Sequence, residues 1–298
     1  MVQRKSKRKN QVNKKDKIVA TIKEYGLLIL IAFFVASSVI QGSLVPTGSM
    51  ESTIRVGDFI LVNRLAYDFY TPRNVPHTNI KLPFARWEWS EGPERGDIVV
   101  FEFPGYQTHL EHKNVESWVK RCVGVPGDTI VIKDRVLYVN YKEFPKPKNI
   151  TYKNNSTQPI TQPDREIFPR NKFWNTDNYG PIVVPKKGDV IKLTTDNIYK
   201  YEDIINREFG RRVVNIRQGK IFIDGKESDT YEIKQNFYFM VGDSRNDSAD
   251  SRIWGFVPRD KILGTPMFVF FSFDSDIPLN QIFKLLGSVR FNRIGKFL

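Results

Sequence analysis

The longest apolar run of the chain lies near its N-terminus, where residues 25–40 are sixteen consecutive positions without a charge. Continuing to residue 45 gives 21 residues. At a rise of about 1.5 Å per residue, such a helix crosses a hydrocarbon core about 30 Å thick. The pattern predicts one transmembrane helix over residues 25–45. A cleavable export signal also has a basic start and an apolar middle, but the length of this run favours an uncleaved anchor.

Beyond residue 45 the apolar positions form short β-branched and aromatic runs, separated by Gly, Pro, Asp and Asn. Runs of this kind are typical of β-strands. The strongest strand candidates are residues 59–62, 97–103, 128–139, 220–225 and 237–242. The pattern predicts a mainly β domain over residues 46–298.

Helical patterns are scarce in this region, and only residues 200–209 and 278–287 suggest short helices. Residues 145–166 are rich in Pro, Asn, Lys and Thr, which is typical of a surface excursion or a linker. Residues 266–273 are apolar but too short to cross a bilayer, and they are predicted to form a strand.

Charge distinguishes the N-terminal tail from the rest of the chain. The formal net charge is +13, and residues 1–24 hold nine Lys and Arg against two acidic residues, a net of +7. The rest carries only +6, which argues against a nucleic-acid surface spread over the fold. Because Lys and Arg mark the cytoplasmic side of a membrane helix, residues 1–24 are predicted to be cytoplasmic and the β domain exported.

The chemistry available to the chain is limited. Cys122 is the only cysteine, which excludes an internal disulfide, and three histidines leave little material for a metal centre. The acidic run that starts at Asp243 lacks the Gly and Glu of a calcium loop and contains two arginines. We therefore expect no cofactor and no metal. No histidine lies in a distinctive setting, so a catalytic serine would need another base.

Three segments are candidates for that chemistry: residues 46–50, 117–128 and 242–252. The first is a Pro-Thr-Gly-Ser-Met turn directly after the apolar run, the second places a lysine on an apolar strand, and the third is dense in Asp, Ser and Arg. Taken singly, these segments describe a turn, a solvated strand lysine and a polar loop.

Taken together, the segments resemble type I signal peptidase, the membrane-bound Ser-Lys leader peptidase of bacteria. The resemblance rests on five boxes that occur in the family's order, at residues 46–50, 56–64, 95–101, 119–128 and 238–255. It implies an antiparallel β-sheet catalytic domain preceded by one transmembrane helix. Residues 144–235 match little and would be a variable inserted subdomain.

The resemblance also implies roles for individual residues. Ser49 would be the nucleophile and Lys120 the general base, with the Ser248 hydroxyl hydrogen-bonded to the lysine amine. The Ser49 backbone N–H and the Thr47 hydroxyl would stabilise the oxyanion. A lysine of ordinary pKa is almost entirely charged near pH 8, so burial must lower the pKa of Lys120 by about 2–3 units.

Other positions would support the site. Asp250 and Arg252 would form a structural ion pair. Residues matching the family's substrate pocket, shallow and selective for small side chains, are Val45, Met50, Ile54 and Val119.

Three departures from the family pattern lie near these positions. Ser52 stands where the family commonly has proline, Ser244 stands where asparagine is usual, and Asn246-Asp247 reverses the usual order. They bear on loop geometry more than on the reaction.

The resemblance implies that the substrates are the signal peptides of exported preproteins, cleaved at Ala-x-Ala sites on the outer face of the bacterial inner membrane. The implied partners are the phospholipid bilayer and, transiently, the export machinery, with no nucleic acid. Two aromatic segments, residues 84–89 and 268–273, suit either the membrane interface or ordinary packing. A related Ser-Lys peptidase that processes pilins or cleaves itself as a repressor, and an inactive membrane-anchored scaffold, stay open as alternatives.

Overall fold

The structure is a computed structural model. It describes residue 17 and residues 19–28, 32, 38–71, 83, 85–106, 116–278 and 280–298. The described part of the chain is mainly β, as the sequence predicts. Every pairing between the named strands is antiparallel.

A seven-stranded sheet forms the centre of the fold. Its strands, in spatial order, are β1 (Ile40–Leu44), β2 (Asp58–Asn63), β18 (Ile262–Ser272), β5 (Ile98–Glu102), β6 (Ser117–Gly124), β16 (Phe237–Val241) and β17 (Val257–Pro258). β5 is buried along its whole length, which explains its uninterrupted apolar run. Ile98 and Val100 join one core cluster, while Val99 and Phe101 join another, so apolar cores cover both faces of this strand.

A second, four-stranded sheet has the order β10-β7-β8-β9. Its strands are β7 (Thr129–Lys133), β8 (Val136–Val139), β9 (Lys142–Glu143) and β10 (Tyr179–Val183). β10 lies within the predicted insertion 144–235 but pairs with β7, which precedes it. The insertion is therefore continuous with the catalytic domain through one sheet, and both contribute to the largest apolar cluster.

Smaller elements complete the fold. The remaining strands are β3 (Asp68–Tyr70), β4 (Arg86–Glu88), β11 (Val190–Lys192), β12 (Val214–Arg217), β13 (Lys220–Ile223), β14 (Lys226–Glu227) and β15 (Thr230–Glu232). The helices are α1 (Ile198–Glu208), α2 (Ser251–Trp254) and α3 (Ile282–Gly287), with 3-10 turns at Arg259–Lys261 and Phe291–Arg293. α1 and α3 confirm the two short helices predicted from sequence, and β18 confirms the strand predicted over residues 266–273.

The predicted end of the membrane helix, at residue 45, is wrong. Ile40–Leu44 forms β1, which pairs with β2 from Ile40 opposite Asn63 to Leu44 opposite Phe59. Residues 40–44 are therefore a strand, whose backbone groups pair across the sheet and do not continue a helix. At the other end of the predicted span, residues 25–28 are helical and belong to a helical stretch over residues 19–28. Residues 29–31 and 33–37 of the predicted span lie outside the described residues.

None of the helices in the described part of the chain combines the length and the apolar composition that a bilayer crossing requires.

Candidate active site

Ser49 lies in a turn that apolar side chains hold against the sheet. The turn follows β1 and is closed by backbone hydrogen bonds from Glu51 N–H to the Gly48 carbonyl (2.9 Å) and from Ile54 N–H to the Met50 carbonyl (2.9 Å). Met50 and Ile54 are buried in the core cluster beside β2 and β5. The hydroxyl of Ser49 is thus carried on a short segment anchored next to a rigid sheet.

Lys120 approaches this turn from the middle of β6. Its Nζ lies 2.7 Å from Ser49 Oγ and 3.1 Å from the carbonyl oxygen of Val119, with hydrogen bonds to both. The side chain is only 3% exposed. Its Nζ also lies 5.0 Å from the centroid of the Trp118 ring. The structure therefore brings together the two residues that the sequence assigns as nucleophile and base.

Burial changes the acidity of this lysine. Desolvation lowers the pKa of Lys120 from 10.5 to about 8, and the negative charge of Asp250 partly opposes that shift. A lysine with this pKa is about half neutral near pH 8, so a free amine is available to take a proton. The pKa of Lys120 is therefore lowered as far as a general base that acts near pH 8 requires.

The Ser49–Lys120 pair opens onto a cleft of about 480 Å³. All four residues predicted to form the substrate pocket line this cleft, together with Thr47. They are Val45, Met50, Ile54 and Val119. The walls beside the serine are therefore largely apolar, which suits small uncharged side chains.

Two hydrogen-bond donors are available beside the serine. The backbone N–H of Ser49 donates to no backbone carbonyl among the described residues. Thr47 is exposed and lines the same cleft. Their assignment as an oxyanion hole stays a prediction.

The hydrogen bond predicted between Ser248 and Lys120 is absent. Ser248 Oγ is buried and has no hydrogen-bond partner in the described part of the chain, and Lys120 donates to Ser49 and to Val119. Ser248 still lies at the back of the site. A Cβ built on Gly242 would lie 2.2 Å from Ser248 Oγ and 2.6 Å from the Ser49 carbonyl oxygen.

Gly242 therefore lets residues 242–252, here called the Asp-Ser-Arg loop, closely approach the turn that carries Ser49, here called the catalytic turn. The contact is made by backbone, since Ser244 N–H donates to the Ser49 carbonyl at 3.1 Å. Any side chain at residue 242 would separate the two segments, so the close packing requires glycine here.

The predicted ion pair between Asp250 and Arg252 is present and fully buried. Arg252 donates through Nε (2.8 Å) and Nη2 (2.7 Å) to the carboxylate, which also caps α2 and accepts from Gly242 N–H at 3.1 Å. Arg252 also donates to the backbone carbonyls of Thr176 and Arg245. The pair therefore connects the loop beside the catalytic turn to residues of the insertion.

Sequence reasoning missed a second buried pair. Arg121, the neighbour of Lys120, donates through Nε (2.8 Å) and Nη2 (2.7 Å) to Asp243, which also accepts a hydrogen bond from Thr53 Oγ1 at 2.6 Å. Arg121 Nη1 also donates to the Gly96 carbonyl at 2.6 Å, so this network joins three of the sequence boxes. The sequence offered one signal for this pair: Arg121 and Asp243 carry opposite charges, lie in two different boxes and had been given no role.

Two of the three departures from the family pattern have local explanations, and the structure gives none for Ser244. Ser52 has a φ of 81°, which a proline ring does not allow. Asn246 accepts a hydrogen bond from Lys153 N–H at 2.7 Å, and Asp247 forms an ion pair with the Lys153 side chain. The reversed pair thus contacts the insertion. No cluster of three or more His, Cys, Asp or Glu side chains suited to a metal ion occurs among the described residues.

Comparison with known proteins supports the assignment that the geometry suggests. The family described as "Signal peptidase, peptidase S26" matches residues 18–271. The chain is 29% identical to the signal peptidase I of Buchnera aphidicola subsp. Schizaphis graminum, over 87% of this chain and 78% of that protein. It is 27% identical to the signal peptidase I of Rickettsia bellii, over 93% of this chain and 84% of that protein.

A solved signal peptidase I from Enterococcus faecalis aligns over 58% of this chain and 96% of its own, at 19% identity and a TM-score of 0.29. This superposition is too weak to support a fold assignment. The family match covers most of the chain and includes all the candidate site residues described above. The chain therefore belongs to the signal peptidase family, peptidase S26, and is a serine endopeptidase.

Proposed function

We propose that the protein is a membrane-anchored Ser-Lys peptidase that removes signal peptides from exported preproteins at Ala-x-Ala sites. The observation that carries the proposal is the 2.7 Å contact between Lys120 Nζ and Ser49 Oγ, at a lysine buried enough to lower its pKa to about 8. A serine hydroxyl is a weak nucleophile until an adjacent base accepts its proton, and this contact supplies that base.

The reaction then proceeds in two steps, the acylation of Ser49 and the hydrolysis of the resulting ester. In the first, neutral Lys120 takes the proton of Ser49 as Oγ attacks the scissile carbonyl carbon, and the oxyanion accepts hydrogen bonds from the Ser49 N–H and the Thr47 hydroxyl. The lysine ammonium protonates the leaving amine, which departs as the new N-terminus of the mature protein. In the second step, Lys120 takes a proton from water as the water oxygen attacks the ester carbonyl. The lysine ammonium then returns that proton to Ser49 Oγ as the ester bond breaks, and the signal peptide leaves with a new C-terminal carboxyl group.

Ser248 stays a predicted orienting residue. Its buried Oγ lies behind the Ser49 carbonyl and has no partner among the described residues, so the hydroxyl has both a donor and an acceptor to offer. In this proposal it holds the lysine amine when Ser49 is acylated and no longer carries a hydroxyl.

The proposed substrate preference follows from the walls of the cleft. Val45, Met50, Ile54 and Val119 leave an apolar surface beside the nucleophile. Alanine side chains fit such a surface, whereas a charged side chain would lose its hydration without gaining a partner. The mature part of a preprotein would leave through the open side of the cleft.

The proposed anchor lies before β1 and begins at residue 25, and its residues 25–28 are helical. The basic tail orients its N-terminus toward the cytoplasm, which places the catalytic domain on the outer face of the inner membrane beside the export machinery. Trp87 and Trp89 are 55% and 57% exposed, as expected of side chains at a lipid interface.

The test incubates detergent-solubilised protein with a preprotein that carries an Ala-x-Ala site. We expect the wild type to cleave after the second alanine, and Ser49→Ala and Lys120→Met to be inactive. Lys200→Met is the matched control, because burial also lowers the pKa of Lys200 to about 8 although this lysine does not line the cleft. This variant should cleave normally.

Cleavage by Lys120→Met would mean that another group is the base. A folded but silent wild type would favour the scaffold alternative.

A further inference from the structure

Arg245 is a buried arginine whose side chain is incompletely hydrogen-bonded among the described residues. It lies in the loop that carries Ser248, is only 4% exposed, and its Nε has no hydrogen-bond partner in the part of the chain that the structure describes. Buried guanidinium groups are normally matched by carboxylates or carbonyl oxygens, since burying an uncompensated charge is costly.

The nearby carboxylates are already used by other arginines. Asp250 accepts two side-chain hydrogen bonds from Arg252, and Asp243 accepts two from Arg121. These are one-to-one pairs, so Arg245 is the third arginine near two acids. Burial and, after it, the positive charge of Arg252 lower the pKa of Arg245, whereas Tyr152, Asp250 and Asp243 oppose this shift without reversing it.

Arg245 borders a cavity of about 260 Å³ that is separate from the catalytic cleft, and the two share no lining residue. The walls of this cavity are mainly apolar, formed by Val136, Leu137, Phe144, Pro147, Ile150 and Tyr152.

Besides Arg245, the other lining residues of this cavity are the bases Arg135 and Lys146 and the acids Asp134 and Glu143. Asp134, Glu143 and Lys146 are exposed, whereas Arg245 is buried. Arg135 forms an ion pair with Asp177, in which Nε lies 2.8 Å from Oδ2. The buried part of the cavity therefore combines apolar side chains with the Arg245 guanidinium, while the two acids are exposed to solvent. Such a cavity suits a ligand that is negatively charged at one end and apolar at the other.

We infer that this cavity binds a small carboxylic acid with an apolar body, its carboxylate on Arg245 and its alkyl or aryl part against Phe144 and Ile150. A carboxylate matches the planar fork of arginine and carries the single charge needed to compensate it. Inorganic phosphate fits less well, because its second charge and remaining oxygens would face apolar walls.

The position of the site connects it to the catalytic loop. The carbonyl oxygen of Arg245 accepts a hydrogen bond from Arg252, and Arg245 N–H donates to Thr151 of the insertion at 3.0 Å. A bound carboxylate would therefore lie against the segment that joins the loop to the insertion, which gives residues 144–152 a ligand-binding role of their own.

Binding is tested with hexanoate, its neutral analogue hexanamide and inorganic phosphate, by calorimetric titration of the full-length protein in detergent. We expect saturable hexanoate binding and much weaker binding of hexanamide and phosphate. Arg245→Met should weaken hexanoate binding by about ten- to a hundredfold, the usual effect of removing a charge-assisted hydrogen-bond partner. Arg211→Met, an exposed arginine paired with Asp224, is the matched control and should bind as the wild type does.

Thermal unfolding without ligand supplies an independent readout. If Arg245 is uncompensated, replacing it with the similarly sized methionine should raise the Tm of the empty protein, and hexanoate should raise the Tm of the wild type alone. The inference is overturned if Arg245→Met lowers the Tm and leaves hexanoate affinity unchanged. Equal binding of hexanamide, or tighter binding of phosphate, would also overturn it.

Discussion

At the scale of single residues, two lysines show that a lowered pKa does not by itself identify a catalytic group. Burial lowers the pKa of both Lys120 and Lys200 to about 8. Lys200 lies over the rings of Tyr201 and Phe256, whereas Lys120 lies 2.7 Å from a serine hydroxyl that lines a cleft. The contact with Ser49, and not the acidity, distinguishes the base.

The pH dependence of cleavage follows from the lysine. Only neutral Lys120 accepts a proton, and its pKa is about 8, so kcat/KM should rise about tenfold per pH unit below pH 8 and level off above it. Steady-state rates from pH 6 to pH 10 measure this profile. Lys200→Met should leave it unchanged, and a rate that does not vary between pH 6 and pH 8 would contradict the assignment.

A second residue-scale prediction concerns the glycine behind the site. The Cβ of Gly242→Ala would lie 2.2 Å from Ser248 Oγ and 2.6 Å from the Ser49 carbonyl oxygen, so the loop and the catalytic turn must separate. We expect cleavage to fall by at least about tenfold, because small displacements of catalytic groups have large effects on rate. Gly287→Ala, where a Cβ meets nothing within 4 Å, is the control and should retain full activity.

At the scale of elements, buried ion pairs position the loop between β16 and α2. Asp250 caps α2, binds Arg252 and accepts from Gly242 N–H. Asp243 connects the start of the same loop to Arg121 on β6. Because these groups are buried and each pairs with a defined partner, they restrict the loop to one arrangement beside Ser49.

Breaking the Asp250 pair should therefore destabilise the protein. Arg252→Met leaves a buried carboxylate without its partner, and we expect a loss of about 3–5 kcal/mol in the free energy of unfolding, measured by urea denaturation. Lys220→Met breaks an ion pair in which both side chains are more than half exposed, and should cost under about 1 kcal/mol. Equal effects of the two substitutions would show that the buried pair is not structural.

At the scale of the whole molecule, the active site lies where two sequence-distant segments meet on one sheet. The turn carrying Ser49 follows β1 at the edge of the seven-stranded sheet, and Lys120 lies on β6. Apolar clusters cover both faces of β5, so β5 has little freedom to move. β6, which carries Lys120, pairs with β5. The fold provides a rigid platform, and the insertion adds packing and contacts on the Asp-Ser-Arg loop.

The proposed anchor leads to a prediction at this scale. A protein that begins at residue 38 retains β1 and the whole described β domain, but lacks the basic tail and the apolar segment. We expect it to stop co-sedimenting with phospholipid vesicles while still cleaving a short peptide with an Ala-x-Ala site, since the Ser49–Lys120 pair is unchanged. Undiminished co-sedimentation would contradict the proposed anchor and assign membrane binding to the β domain.

The sequence determined those features that depend on neighbouring residues along the chain. Alternating and continuous apolar runs predicted the strands, because burial in a sheet selects apolar residues at a period of two or without interruption. The order of short boxes identified the family and named Ser49, Lys120 and the Asp250–Arg252 pair. The apolar run also predicted a helix up to residue 45, but hydropathy does not show that residues 40–44 pair with β2.

The tertiary structure decided what depends on residues that are distant in the chain. Seventy-one positions separate Ser49 from Lys120, and only the packed sheet sets their 2.7 Å contact and the burial that lowers the pKa of the lysine. It also showed that Ser248 Oγ has no partner among the described residues, and that Arg121 holds Asp243. Distance, desolvation and hydrogen-bond partners are properties of the folded arrangement, because the same residue types in sequence allow many alternative contacts.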